Sequence, residues 1–111
     1  MSSRDWHKRV QDILSAVESI QQRLEGESFE SFAANDVLVE SVLYKFIVIG
    51  EAASNIPKEI KAEMSDLPWR EMSDMRNVVA HEYFRVDKTI VWETAQENLP
   101  PLVDLLKALL P

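Results

Sequence analysis

The chain has 111 residues, with twelve Lys and Arg against nineteen Asp and Glu, for a net charge of −7. That length fits a single domain spanning 1–111, since domains commonly run roughly 100–200 residues. The absence of cysteine excludes disulfides, zinc–thiolate sites and thiol nucleophiles, and the acidity argues against a general nucleic-acid coat, which needs a basic surface.

Only two glycines sit among abundant Ala, Leu, Glu and Lys, a composition that favours an all-α protein. In chain order, Trp6, Val10, Ile13, Val17, Ile20 and Leu24 recur every three or four residues. They predict an amphipathic helix over about 5–24, stopped by Gly26. Residues 26–34 read as a loop. Asn35 or Asp36 can cap a second long helix reaching Ser54. Its apolar residues, from Val37 and Leu38 to Ala52 and Ala53, cover more than one face. Such a helix is buried on several sides, and in so small a domain a partner subunit is expected to cover part of it. Gly50 inside it costs about 1 kcal/mol relative to Ala, which a close helix approach would explain.

Pro57 fits the first turn of a short helix over 57–64, and Pro68 opens another through Trp69, Met72 and Met75 toward Ala80 or Tyr83. Asp87 can cap a last helix from Lys88, which Pro100-Pro101 must kink or break. The expected architecture is a bundle of four main helices plus short pieces. The longest apolar stretch, 37–49, is interrupted by Glu40 and Lys45 and is too short to span a bilayer. With no hydrophobic signal region at the N-terminus, a cytoplasmic protein without membrane association is expected.

The chemistry concentrates in Arg76-Asn77-Val78-Val79-Ala80-His81-Glu82-Tyr83. Arg76 is a permanent cation whose planar donor fork suits phosphate oxygens. His81 can exchange a proton near neutral pH. That pair can in principle break a phosphodiester without a metal. On a regular helix Arg76 and His81 lie about 140° apart and would flank a cleft. Asn77 and His81 are one turn apart, and Arg76 and Tyr83 fall within about 20° of each other. Residues 70–88 are locally neutral, with four cations balancing four carboxylates. Two copies of the segment about a twofold axis would gather two arginines and two histidines and so double the local cations.

Most other polar and aromatic residues have plainer readings. Trp6, Trp69 and Trp92 read as core anchors more than as base-stacking platforms. His7, among Arg4, Lys8 and Arg9, reads as a solvated helix start. Glu51 could reach the cleft or form an ordinary salt bridge.

A wider pattern accompanies the Arg–His segment. Ile49-Gly50-Glu51-Ala52-Ala53-Ser54-Asn55-Ile56-Pro57, Leu67-Pro68-Trp69-Arg70-Glu71-Met72, the run from Met75 to Phe84, Val86-Asp87 and Ile90-Val91-Trp92 follow in that order. Together they closely resemble the HepT-like branch of the HEPN superfamily. These blocks cover about half of the chain. The resemblance implies a homodimeric helical bundle, with an R-x4-6-H motif at the dimer interface and metal-independent endoribonuclease activity on RNA. It further implies a toxin of a type VII toxin–antitoxin system, paired with a minimal nucleotidyltransferase antitoxin of the MntA kind, with further assembly on that antitoxin left open. In this branch the motif extends to R-x4-H-x-Y, matched by Arg76, His81 and Tyr83. Tyr83 would then accept AMP from the antitoxin. Asn77 and Glu51 match recurrent polar positions, Asn77 as a third catalytic-site residue and Glu51 in a supporting place. No metal and no cofactor is implied.

On this reading the substrate's own 2′-hydroxyl attacks the adjacent phosphate, with His81 as base or acid and Arg76 on the phosphate. Two other readings stay open. One is a non-catalytic nucleotide-binding or nucleotidyltransferase-docking module. The other is a structural dimer, with Arg76 paired to Glu51 or Asp74.

Overall fold

The computed structural model describes the backbone of residues 3–82 and 86–111, and the side chains of 5–77, 79 and 86–111. The first apolar stripe forms one 22-residue helix, α1 (Ser3–Leu24). Val10, Ile13, Val17 and Ile20 on it are fully buried. Burying each such side chain contributes about 1.5–3 kcal/mol relative to leaving it exposed. Gly26, at φ +80°, ends that segment in a left-handed turn that a side chain would strain.

The stretch 26–34 is not all loop, which corrects the expectation for it. α2 (Phe29–Ala33) occupies its second half. Ser28 caps it, accepting from the Ser31 N–H while the Ser31 hydroxyl accepts from the Ser28 N–H. This is a capping box in which serine stands where glutamate or glutamine is usual. Phe32 is fully buried against Trp92, ring centroids 5.4 Å apart. Lys88 donates to the Ala33 carbonyl at 2.9 Å and ties the end of α2 to the start of α6 (Lys88–Glu93). A five-residue helix of this kind is held by packing, since it is too short to be stable alone.

α3 (Asp36–Ser54) begins at Asn35, whose side chain accepts from the Leu38 N–H at 3.0 Å. It packs on α1 on one side and on α5 (Trp69–Glu82) on the other. Val39, Val42, Leu43, Phe46, Ile49, Ala52 and Ala53 are buried, which matches the expectation of a helix covered on several sides. A strip of the same helix is left open: Val37, Tyr44 and Ile47 are 76%, 61% and 37% exposed.

α4 (Lys58–Glu63) forms the corner after Pro57 and before α5. α6 passes directly into one π-helical turn over Thr94–Asn98, and α7 (Leu102–Lys107) follows. Pro100 and Pro101 cause this break: neither has an N–H to give to the carbonyl one turn back. The Leu99 N–H reaches the Thr94 carbonyl at 3.0 Å instead, in a five-residue register. All regular structure among the described residues is helical, so the chain is an all-α bundle. No described helix is long and apolar enough to cross a membrane.

Candidate functional site

α5 turns its apolar stripe toward α3 through Trp69, Met72 and Val79, all buried. Arg76 lies between Met72 and Val79 in that same stripe, four residues after one and three before the other. A core-facing place for an arginine needs a local reason, and Gly50 of α3 supplies it. A Cβ on Gly50 would lie 2.5 Å from the Arg76 Cβ and 2.6 Å from its backbone nitrogen. The absence of a side chain at Gly50 lets the two backbones nearly touch, as its place inside a helix suggested.

The Arg76 stem then leaves along the surface of α3. Its Nη1 donates to Oε2 of Glu51 at 2.6 Å, a short charge-assisted bond. The two side chains stay 38% and 55% exposed. A pair this open adds little to stability; what it fixes is the direction of the guanidinium.

Glu51 is itself held in place. Asn55, which caps the end of α3, donates through Nδ2 to the Glu51 carbonyl at 2.8 Å and to its Oε1 at 3.5 Å. Ser54 donates to the Gly50 carbonyl at 2.8 Å. The hydrogen bond from Arg76 is the main reason the Glu51 carboxyl sits below the usual carboxylate range, and the charge of Arg76 adds to it. Desolvation opposes Arg76, and Asn55 and the charge of Arg9 add smaller contributions in the lowering direction.

Of the predicted site residues, Arg76 and Glu51 are brought together. Asn77 follows Arg76 on α5 and is exposed. His81 lies on the last turn of the same helix by its backbone, one turn beyond Asn77. The His81 side chain, and all of Tyr83, lie outside the described residues. The ion pair with Glu51 is one that the structural-dimer reading allowed; among the described residues Arg76 makes none with Asp74.

Ser54, Asn55 and Arg9 were not singled out from the sequence. Ser54 and Asn55 sit inside the motif block that begins at Ile49, where side chains ending a helix commonly bond the last carbonyls. His7 departs from the solvated reading, being half-buried with its ring 3.8 Å from that of Trp6. Trp69 is buried, and Trp6 and Trp92 are partly buried against the core, as core anchors should be.

Comparison with known proteins converges on one family. The family model described as "Ribonuclease HepT-like" matches residues 13–109. A Caldanaerobacter subterraneus protein bearing the name "Putative RNase" is 38% identical over 101 residues, 91% of this chain and 90% of that protein. A Thermococcus cleftensis protein named "Probable ribonuclease HepT" is 37% identical over 93 residues, 84% of each chain. A further "Putative RNase", from Methanocaldococcus jannaschii, is 35% identical over 102 residues, 92% of this chain and 88% of that one. No solved structure matches.

Proposed function

The chain belongs to the HepT-like ribonuclease family, and on that footing we propose that it is a cytoplasmic, metal-independent endoribonuclease acting as the toxin of a toxin–antitoxin pair. One observation carries the reading. Arg76 is delivered to the surface from a core-facing position and aimed by Glu51, on the same helix that bears Asn77 and His81.

An RNA strand supplies its own nucleophile. His81, neutral, takes the proton of the 2′-hydroxyl as that oxygen attacks the adjacent phosphorus. The bond to the 5′-oxygen breaks, and a second imidazole, from the symmetry-related copy, returns a proton to the leaving group. Arg76 carries the charge that builds on the non-bridging oxygens. Asn77 orients His81 or the phosphate. The products are a 2′,3′-cyclic phosphate and a 5′-hydroxyl.

The second copy has a natural seat. Val37, Tyr44 and Ile47 form one stripe of α3, and the next residue along that face is Glu51. A twofold contact along the stripe would bury it and bring two Arg76–Glu51 pairs to one crevice.

Regulation would act on the same segment of the chain. AMP placed on Tyr83 by a minimal nucleotidyltransferase would set a bulky anion two residues from His81. It would repel the substrate phosphate and fill the crevice.

The deciding experiment is induction of the wild type and of His81→Ala, scored by growth arrest and by end-group analysis of cleaved RNA. Growth arrest and cyclic-phosphate ends that vanish with His81→Ala support the nuclease. Arrest that persists with intact RNA favours the docking or nucleotide-binding module. Co-expression with the antitoxin should add the mass of AMP to the peptide holding Tyr83, and full activity of the modified protein would refute its blocking role.

A further inference from the structure

An ion pair is electrically balanced, and a balanced pair on a chain of net charge −7 attracts phosphate poorly. A second cation beside Arg76–Glu51 changes that sum, and the helix geometry supplies one. α1 and α3 are joined by residues 25–35, which include α2, and they pack side by side and run antiparallel. Arg9 lies fifteen residues before Leu24, the last of α1, and Glu51 fifteen after Asp36, the first of α3. At about 1.5 Å per residue both stand about 22 Å from the shared end of the hairpin, and therefore at one level. Gly50 fixes Arg76 of α5 at the same level from the other side.

Three helices thus present a cation, a carboxylate and a cation in a row, Arg9–Glu51–Arg76, so that one carboxylate is flanked by two guanidinium groups, while Lys8 and the carboxylates of Asp5 and Asp12 surround Arg9 on α1. Arg76 is the main cause of the lowered Glu51 carboxyl, and the charge of Arg9 is the smallest of the influences on it. Arg9 is exposed. Among the described residues the ion pairs are Arg76–Glu51 and Lys88–Asp36, so Arg9 is engaged by neither Asp5 nor Asp12, its neighbours on the helix surface.

We propose that Arg9 is a second phosphate-binding residue of the site, taking a phosphate that flanks the scissile one on the same RNA strand. This rests on the ribonuclease reading above. Axes of packed helices stand about 8–10 Å apart, so cations on α1 and α5 to either side of α3 span more than one nucleotide step. Arg9 therefore acts on the track of the strand and not on the reacting atoms. It is a binding residue that raises affinity without touching the leaving group.

The test uses the intact protein and a fluorescein-labelled, fully 2′-O-methylated single-stranded RNA, which binds but lacks the attacking hydroxyl. Anisotropy titrations over a range of salt are compared for wild type, Arg9→Ala, Arg9→Lys and Arg23→Ala. Loss of one phosphate contact should flatten the slope of log affinity against log salt by about 0.7 in Arg9→Ala. Arg9→Lys should restore the slope, since a point charge suffices for a backbone phosphate. Arg23→Ala, on the last turn of α1 where Arg23 bonds Ser19, should match wild type. With cleavable RNA, Arg9→Ala should raise KM and leave kcat unchanged.

An Arg9→Ala slope equal to that of wild type overturns the proposal, as does wild-type binding that does not respond to salt. If wild type cuts RNA and Arg9→Ala cuts it with the same KM, this inference fails and the ribonuclease reading stands. If binding depends on Arg9 but no RNA is ever cut, the ribonuclease reading fails and the phosphate site stands.

Discussion

Gly50 and Arg76 meet where α3 crosses α5, and the space between them is smaller than a methyl group. The first prediction follows from that contact. Gly50→Ala improves helix propensity by about 1 kcal/mol. It also forces a Cβ against the Cβ and backbone nitrogen of Arg76, neither of which is the far end of a flexible chain. Overpacking of this kind costs typically about 1–3 kcal/mol, so the clash should win. Urea unfolding should show a lower midpoint, with cleavage reduced because Arg76 is displaced. A more stable Gly50→Ala protein would show that the helices separate freely there.

The Glu51 carboxyl, held low by Arg76, should titrate below the ordinary glutamate value of about 4.3. The sign is fixed by the direction of the shift. A depressed folded-state pKa stabilises the fold fully above the ordinary value, and that contribution is lost as pH falls through the lower, folded value. NMR titration of the Glu51 side-chain carboxyl carbon measures it directly. Arg76→Ala should return the midpoint toward the ordinary value, and added salt should move it partway, because the pair is exposed. A midpoint already ordinary in the wild type would remove Glu51 as the guide of Arg76.

His81→Ala should lower the cleavage rate by about 10²–10⁴, the usual range for one general acid or base. Arg76→Lys should retain the charge yet lose the planar fork, and so fall between Arg76→Ala and wild type. Single-turnover rates on one defined RNA would rank the three. Equal rates for Arg76→Lys and wild type would mean that simple charge is enough.

Tyr44→Lys with Ile47→Asp places charges in the exposed stripe of α3 without entering the core. Analytical ultracentrifugation should report a dimer for wild type and a monomer for the double variant, with melting of the bundle little changed. Cleavage should fall together with the dimer. A double variant that stays dimeric would move the subunit contact to another face.

Much of this fold is legible in the sequence, for reasons that differ by element. α1 carries apolar residues at a clear helical period, α3 is recognisable by its length and by apolar residues on more than one face, and Asn35, Asp87 and Pro68 mark where helices begin. α2 is a single short turn whose cap partner is Ser31 in place of an acidic or amide residue, and its stability comes from Trp92, sixty residues away. No local pattern could carry that information. At the site, Arg76 and Gly50 are each visible as exceptions within their own apolar stripes. Their contact, and the bond from Arg76 to a carboxylate twenty-five residues earlier, arise only when α5 folds back on α3. Arg9 reads as ordinary surface charge until the antiparallel hairpin sets it level with Glu51.

Trp69 begins α5, and its indole nitrogen donates to the Met64 carbonyl at 3.0 Å. That bond clamps the corner from which the Arg76 helix departs. The protein therefore carries a built-in optical gauge: loosening of α5 from its seat wets this ring and reddens its emission, and with Trp6 and Trp92 replaced by phenylalanine the seating of the Arg76 helix can be followed in a cuvette without attaching a dye.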